Sequence, residues 1–426
     1  MFLNVLKIRN RLDFSILLGN SLDHFDTALY VLLLPVLTPA FFPNYSQNQG
    51  LLIGYAIFAS SAITRPLGAI LFGMIAKYKG PLKGLSYSLM AAALTNVFLA
   101  ILPGHSKCGF FSAILFVFLR FLRGIFTAGE STIAKLYIME GKSHKEAFHA
   151  SYYYPTSSML GNCLAAFMSY LWVYQQGITD AWRYCFLFSG LIGICGYGIR
   201  KQAIKIDSVL DGLNAKIVEK TPYNGINTKK FLQNILQYKR PFVKIALTTG
   251  LSHLTALLPF SIFNIIVPMM VTGISVETMV FFNTCLLFLD LLLIPVLGRC
   301  LINYSPSKIT QIAAVSLGLS LPILFFYIDA GSSVFYITFV RFWIVFLGVV
   351  FLCPQHLYYK NLFSKQTESD QYITVGLGNA IGSALFGKLS PLIMFGIYQQ
   401  TQSLFYIGLY AGIFSLMTFA AILVKD

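Results

Sequence analysis

Apolar stretches of roughly bilayer-spanning length, about 20 residues or more, alternate with short polar segments along almost the whole chain. Read for periodicity, they predict twelve helices, at 14–41, 51–76, 84–103, 109–140, 144–174, 181–200, 241–272, 277–299, 308–328, 333–359, 371–398 and 402–424, with ends set to within ~2–4 residues. Several exceed the minimum span, so tilted or kinked helices are expected. Proline recurs inside them, at Pro35, Pro39, Pro66, Pro155, Pro259, Pro268, Pro295, Pro322, Pro354 and Pro391, which a membrane helix tolerates. The one long polar segment, Lys201 to Lys239, separates six predicted helices from six. It predicts an amino-terminal bundle over 1–200, a linker over 201–240 with a short surface helix from Ile204 to Val218, and a second bundle over 241–426. A weak repeat supports the duplication: Gly73, Pro81 and Lys83 follow the second helix with the same spacing as Gly298, Pro306 and Lys308 after the eighth.

Polar residues inside these stretches are not scattered. At 100° per residue, Asn20, Asp23, Asp26, Thr27 and Tyr30 fall within an arc of about 120° on the first helix. Arg120, Arg123, Thr127, Glu130 and Ser131 share about 100° on the fourth, with Lys135 one step beyond. With ~1.5 Å of rise per residue, Asp26 lies roughly 18 Å from one end of its helix, and Arg120 and Arg123 roughly 16 to 20 Å from the opposite end of theirs, so both stripes reach the bilayer midplane. Arg65 belongs to the same inner region. Ionisable groups at that depth are expensive and mark a function. Paired carboxylates and guanidinium groups can be tolerated there, and a carboxylate whose partner changes with conformation can take up and release a proton. The competing reading is a static ion-pair network that braces the helices. The second half is sparser, with Asp290, Arg341 and Lys388. Arg341 lies deep enough to grip a substrate carboxylate, Asp290 is expected to pair with a neighbour or to join the coupling, and Lys388 to snorkel outward.

Composition narrows the class. Hydrophobic residues make up 56% of the 426 and charged residues only 11%, against roughly 25% charged in soluble domains; mean hydropathy is +0.70. The net charge of +15 would suit nucleic acid, but its distribution excludes that reading. With the amino terminus placed inside, 23 of the 31 lysines and arginines fall in inner segments, only Lys107 and Arg183 fall outside, and six lie within helices. This asymmetry predicts cytoplasmic termini. The basic Lys7 to Arg11 start resembles a signal peptide, but Asn20, Asp23 and Asp26 interrupt the apolar run and no small-residue cleavage site follows, so a retained first helix is expected. The seven cysteines form no CxxC and no His cluster accompanies them, so neither metal nor cofactor is expected. Nor do any nucleophile and base lie at an interpretable spacing, which argues against an enzyme.

Four segments, GNSLDHFDTALY (19–30), ITRPLGAILFG (63–73), RFLRGIFTAGE (120–130) and AWRYCF (181–186), resemble the GNxxEWYDFxxY, RPLGGxxFG, RxxQGxxxGGE and WRxPF motifs of the major facilitator superfamily. The likeness is to its metabolite/proton symporters, which include proline/betaine, shikimate, 2-oxoglutarate and citrate carriers. The resemblance implies an all-α membrane protein of twelve transmembrane helices in two six-helix bundles, alternating access and proton-driven uptake. It aligns Asp26, Arg65, Arg120 and Glu130 with the family's charged positions, while Asp23 stands where glutamate is usual. Departures are as specific. The loop after the second helix, normally GxxxDxxGRRK, reads GMIAKYKGPLK, so Lys77 replaces an aspartate between Gly73 and Gly80 and the resemblance implies altered gating. Arg123 replaces a glutamine and Lys135 a small neutral residue, which makes the site more positive and favours a carboxylate-bearing solute.

The sequence therefore predicts a multi-pass transporter of the bacterial inner membrane, expected to be a monomer in the lipid bilayer, importing a small carboxylate-bearing or zwitterionic metabolite or osmolyte with protons. Proton-coupling candidates are Asp23, Asp26 and Glu130. Substrate-binding candidates are Asn20, Arg65, Arg120, Arg123, Lys135 and Arg341, and gating-loop candidates are Gly73, Lys77 and Gly80. A proton-independent organic-anion exchanger and a non-transporting solute sensor are the alternatives.

Overall fold

The structure, a computed structural model, describes residues 2–139, 142–175, 180–213, 238–362 and 368–424. Among them there is no strand. Helix α1 spans Phe2–Phe41, α2 Gln47–Ala59, α3 Ser61–Lys79, α4 Pro81–Ile101, the short α5 His105–Cys108, and α6 Phe110–Gly129, which continues through a π-helical segment, Glu130–Ala134, into α7 Lys135–Tyr137. Then come α8 His144–Met168, extended by a π segment at Ser169–Gln175, and α9 Ala181–Leu213. The remaining helices are α10 Lys239–Leu258, continued by a π segment at Pro259–Ile266 and α11 Val267–Met270; α12 Val276–Leu301; α13 Pro306–Phe326; α14 Val334–Leu352; α15 Gln355–Leu362; α16 Glu368–Gly382, continued by a π segment at Ser383–Lys388; α17 Ser390–Thr401; and α18 Phe405–Leu423.

Ten of these helical stretches are long and apolar enough to cross a membrane, fewer than the twelve read from the sequence. The two others, α8 and α9, are as long, but α8 opens on His144, Lys145 and Glu146 and carries three consecutive tyrosines, and α9 carries Arg183 near its start. The predicted linker lies largely outside the described residues; its first part, through Leu213, simply prolongs α9.

Local chemistry sets several helix starts. Ser46 and Gln49 exchange a capping box at the start of α2, and Ser143 and Glu146 do so for α8, satisfying backbone donors that no helical carbonyl can reach. The prolines fall in two kinds of place. Pro259 opens a π segment, Pro354 sits in the turn between α14 and α15, and Pro391 lies in the first turn after another π segment, while Pro66, Pro155, Pro295 and Pro322 lie inside continuous helix. Gly80, between α3 and α4, has φ 93°, a conformation that side-chain-bearing residues rarely adopt.

The helices are apolar outside and charged inside. Ile63, Leu292, Ile312 and Phe335 are exposed, whereas Asp23, Asp26, Arg65, Arg120, Arg123, Glu130, Arg200, Asp290 and Arg341 are all buried. That inversion suits a lipid surround, where the polar groups must be satisfied internally. α1 packs on α8 and α9, α4 on α9, and α3 on α6; α13 packs on α18 and α14, and α10 on α16. The two sets meet where α3 packs on α16 and α8 on α12. Close approach of α8 to α1 depends on Gly161, where a Cβ would fall 2.0 Å from the Ser21 carbonyl oxygen. Gly161→Ala is therefore expected to cost about 1–3 kcal/mol through forced separation of the two helices, read as a lower midpoint of thermal unfolding in detergent; an unchanged midpoint would refute the contact.

Candidate functional site

Two carboxylates of α1 lie among three guanidinium groups. Asp26 and Asp23, three residues apart, face the same side of the helix. Arg120 Nη1 lies 3.2 Å and Arg123 Nε 3.1 Å from Asp26 Oδ2. Asp23 Oδ2 accepts from Arg65 Nη2 at 3.2 Å, and its Oδ1 stands 3.9 Å from Arg123 Nη2. Arg123 thus bridges both carboxylates, which explains how a position unusual for the resembled family is accommodated. Arg120 also stacks over the Tyr30 ring, 4.1 Å from its centre, using the ring's negative face as a further partner.

This cluster borders the second set of helices. Arg65 Nη1 donates to Ser383 Oγ at 3.2 Å, and Lys135 Nζ donates to Asn379 Oδ1 at 2.6 Å. Both acceptors lie on the α16 stretch. Lys135 reaches it because a π turn needs more residues than an α turn. The five residues from Glu130 to Ala134 swing Lys135 back toward the azimuth of Arg120. His24 and His253 stack across the same boundary, ring centres 6.2 Å apart and nearly parallel.

Other expected residues lie elsewhere. Glu130 does not join Asp23 and Asp26; it pairs with Arg200 at 2.5 Å, and Arg200 also donates to the Ser15 carbonyl at 2.8 Å. Arg200, at the end of the predicted helix over 181–200, is fully buried. Asn20 braces α1 against α8 through contacts from Nδ2 to the Tyr154 carbonyl, Ser157 and Ser158 at 2.7–2.9 Å. Arg341 is already held by Asp290 at 2.7 Å and donates to Asn283 at 2.9 Å. The snorkelling expected of Lys388 does not occur: it is buried, with Nζ 4.8 Å from the centre of the Phe58 ring. Gly73 is buried within α3 and Gly80 forms the turn after it, apart from the cluster, while the Lys77 side chain lies outside the described residues. Arg200, Ser383, Asn379, Lys388 and His253 are the participants the sequence reading missed; only Lys388, an ionisable residue within an apolar run, carried a signal.

A cavity of about 10 Å³, lined in part by Asp23, Asp26, Arg120, Arg123, Phe58 and Lys388, adjoins the cluster; this is room for about one water molecule. Among the described residues no group of three or more His, Cys, Asp or Glu is arranged to hold a metal ion.

The fold is that of solved structures of the major facilitator superfamily. The proton:xylose symporter XylE superimposes with a TM-score of 0.72 over 97% of this chain and 95% of that one, at 14% identity. The human organic anion transporter MFSD10 does so at 0.69, over 97% and 99%, with 13% identity. No family profile matches the chain. Among curated relatives, the inner membrane metabolite transport protein YhjE of Escherichia coli is 27% identical over 233 residues, 54% of this chain and 53% of that protein. The shikimate transporter of the same organism is 24% identical over 392 residues, 88% and 84%. The chain thus spans about half of the first relative and most of the second. These relatives are transporters rather than enzymes, YhjE is named as an inner membrane protein, and its ten apolar spans make this chain an integral multi-pass membrane protein.

Proposed function

We propose that this chain is a secondary active transporter of twelve transmembrane helices, with cytoplasmic termini and two six-helix bundles, over 1–200 and 241–426, joined by a linker. It imports a small carboxylate-bearing or zwitterionic solute with protons by alternating access, acting as a monomer. The observation that carries this reading is the Asp23–Asp26–Arg65–Arg120–Arg123 network, buried in the membrane core at the boundary between the two sets of helices. Movement at that boundary changes the partners of Arg65 and Lys135, and with them the field on both carboxylates, which is how conformation and proton occupancy become linked. Asp26 and Asp23 carry the proton, while Arg65, Arg120, Arg123 and Lys135 receive the solute. Glu130 serves chiefly to hold Arg200, and Arg341 to hold Asp290.

The excess of cations over carboxylates also favours a second reading, proton-independent exchange of organic anions. Uptake of labelled proline, betaine and succinate into proteoliposomes separates the two. With one proton per solute, a gradient of one pH unit is expected to support about tenfold accumulation of the transported solute. Uptake indifferent to the gradient would end the symport reading and leave exchange.

A further inference from the structure

Lys388 is the cation of the site whose role the paired network does not explain. The residue is only 6% exposed, yet among the described residues no carboxylate forms an ion pair with it. Its ammonium lies against Phe58, Phe58 stacks on Tyr30 with ring centres 5.7 Å apart, and Tyr30 carries Arg120. Lysine and arginine therefore sit on successive rings of one stack, the first from the α16 stretch and the second from α6, and both line the small cavity with Asp23 and Asp26. Arg120, Arg123 and Lys388 line it with both aspartates and Arg65 pairs with Asp23 from beside it, so four basic side chains face two carboxylates, an excess of two. In a site away from water that excess is costly until counter-charge arrives.

We propose that Lys388 sets the charge class of the solute. The site takes a dianion, one carboxylate on Arg120 and Arg123 and the second on Lys388; the proposal rests on the transporter reading above. The guanidinium groups have donors to spare. Asp26 engages Nη1 of Arg120 and Nε of Arg123, and Asp23 approaches Nη2 of Arg123, out of five N–H groups on each. The 10 Å³ cavity has no room for such a solute, so loading requires the α16 stretch to move away from α2 and α6. A dianion then draws the two sides together by binding both, whereas a monocarboxylate or a betaine engages the guanidinium side and leaves Lys388 uncompensated.

The test is equilibrium protection of the full chain in detergent against thermal unfolding at pH 7, with succinate and glutarate as dianions, butyrate as a monoanion of similar size, and betaine. The wild type is expected to bind the dianions at least about tenfold more tightly than butyrate, as one charge-assisted contact allows. Lys388→Gln is expected to compress that ratio to within about threefold, and Lys388→Arg to preserve it. A wild-type preference for butyrate or betaine overturns the proposal without touching the transporter reading, and it needs no variant that might misfold. A ratio unchanged in Lys388→Gln also overturns it. Protection by none of the probes removes both the proposal and the carboxylate-transport reading beneath it.

Discussion

Replacing Asp26 with asparagine is expected to abolish gradient-driven net uptake while exchange of labelled for unlabelled solute continues. The amide keeps the size of the side chain and one oxygen acceptor for Arg120 and Arg123, which approach to 3.2 and 3.1 Å, but it has no proton to exchange at physiological pH. Return of the empty carrier then lacks its charge change, while exchange requires no empty return. Stability falls by less than the roughly 3–5 kcal/mol typical of orphaning a buried charge, because Asp23 remains 3.9 Å from Arg123. Uptake and exchange assayed in parallel proteoliposomes decide the matter. If uptake survives, Asp26 is no proton site; if both activities fall only in step with the amount of folded protein, the network is a static brace.

The largest loss of stability is expected from Arg200→Met. It strands Glu130 at a buried site where the arginine stood 2.5 Å away, and such single removals cost about 3–5 kcal/mol. The double variant Glu130→Gln, Arg200→Met removes both charges and is expected to recover most of that loss, since a buried pair replaced as a unit is often neutral. Unfolding midpoints of the wild type, Arg200→Met, Glu130→Gln and the double variant form a complete cycle. A double variant as unstable as Arg200→Met, or one that folds well but loses gradient-driven uptake, would move Glu130 from bracing into the coupling chemistry.

Where charges sit along the chain was legible; which charge meets which was not. Helical periodicity placed Asp23 and Asp26 on one stripe and Arg120 and Arg123 on another, and the structure joins those stripes. Periodicity assigns an azimuth on a regular helix, however, and says nothing of partners. Glu130 shared the predicted arc with Arg120 but turns to Arg200, whose position near the end of an apolar run resembled a loop residue. Lys135 stood one step off the stripe by an even 100° count, and the intervening π segment carries it to Asn379. Lys388 ends another π segment and points inward, where a regular helix near a membrane face would have favoured snorkelling. Depth alone suits Arg341 to a substrate carboxylate, but Asp290 and Asn283 on another helix already occupy it, and depth does not report such partners. The misreadings thus trace to tertiary pairing and to local departures from 100° per residue.

Buried pairing between α1 and α6 also bears on how the chain is made. The segment carrying Asp23 and Asp26 leaves the ribosome before α3 and α6, and a charge at the centre of an inserting helix costs about 2.5–3.5 kcal/mol by insertion measurements. Asp23 gains a counter-ion when Arg65 follows, but Asp26 waits for Arg120 and Arg123, with α4 synthesised in between. During that interval the first helix is held in the bilayer by its apolar flanks alone, Leu29 to Leu34 on one side and Phe14 to Leu18 on the other. Substitutions that weaken those flanks should show themselves during biogenesis, as failed insertion and degradation, in residues that never touch the solute.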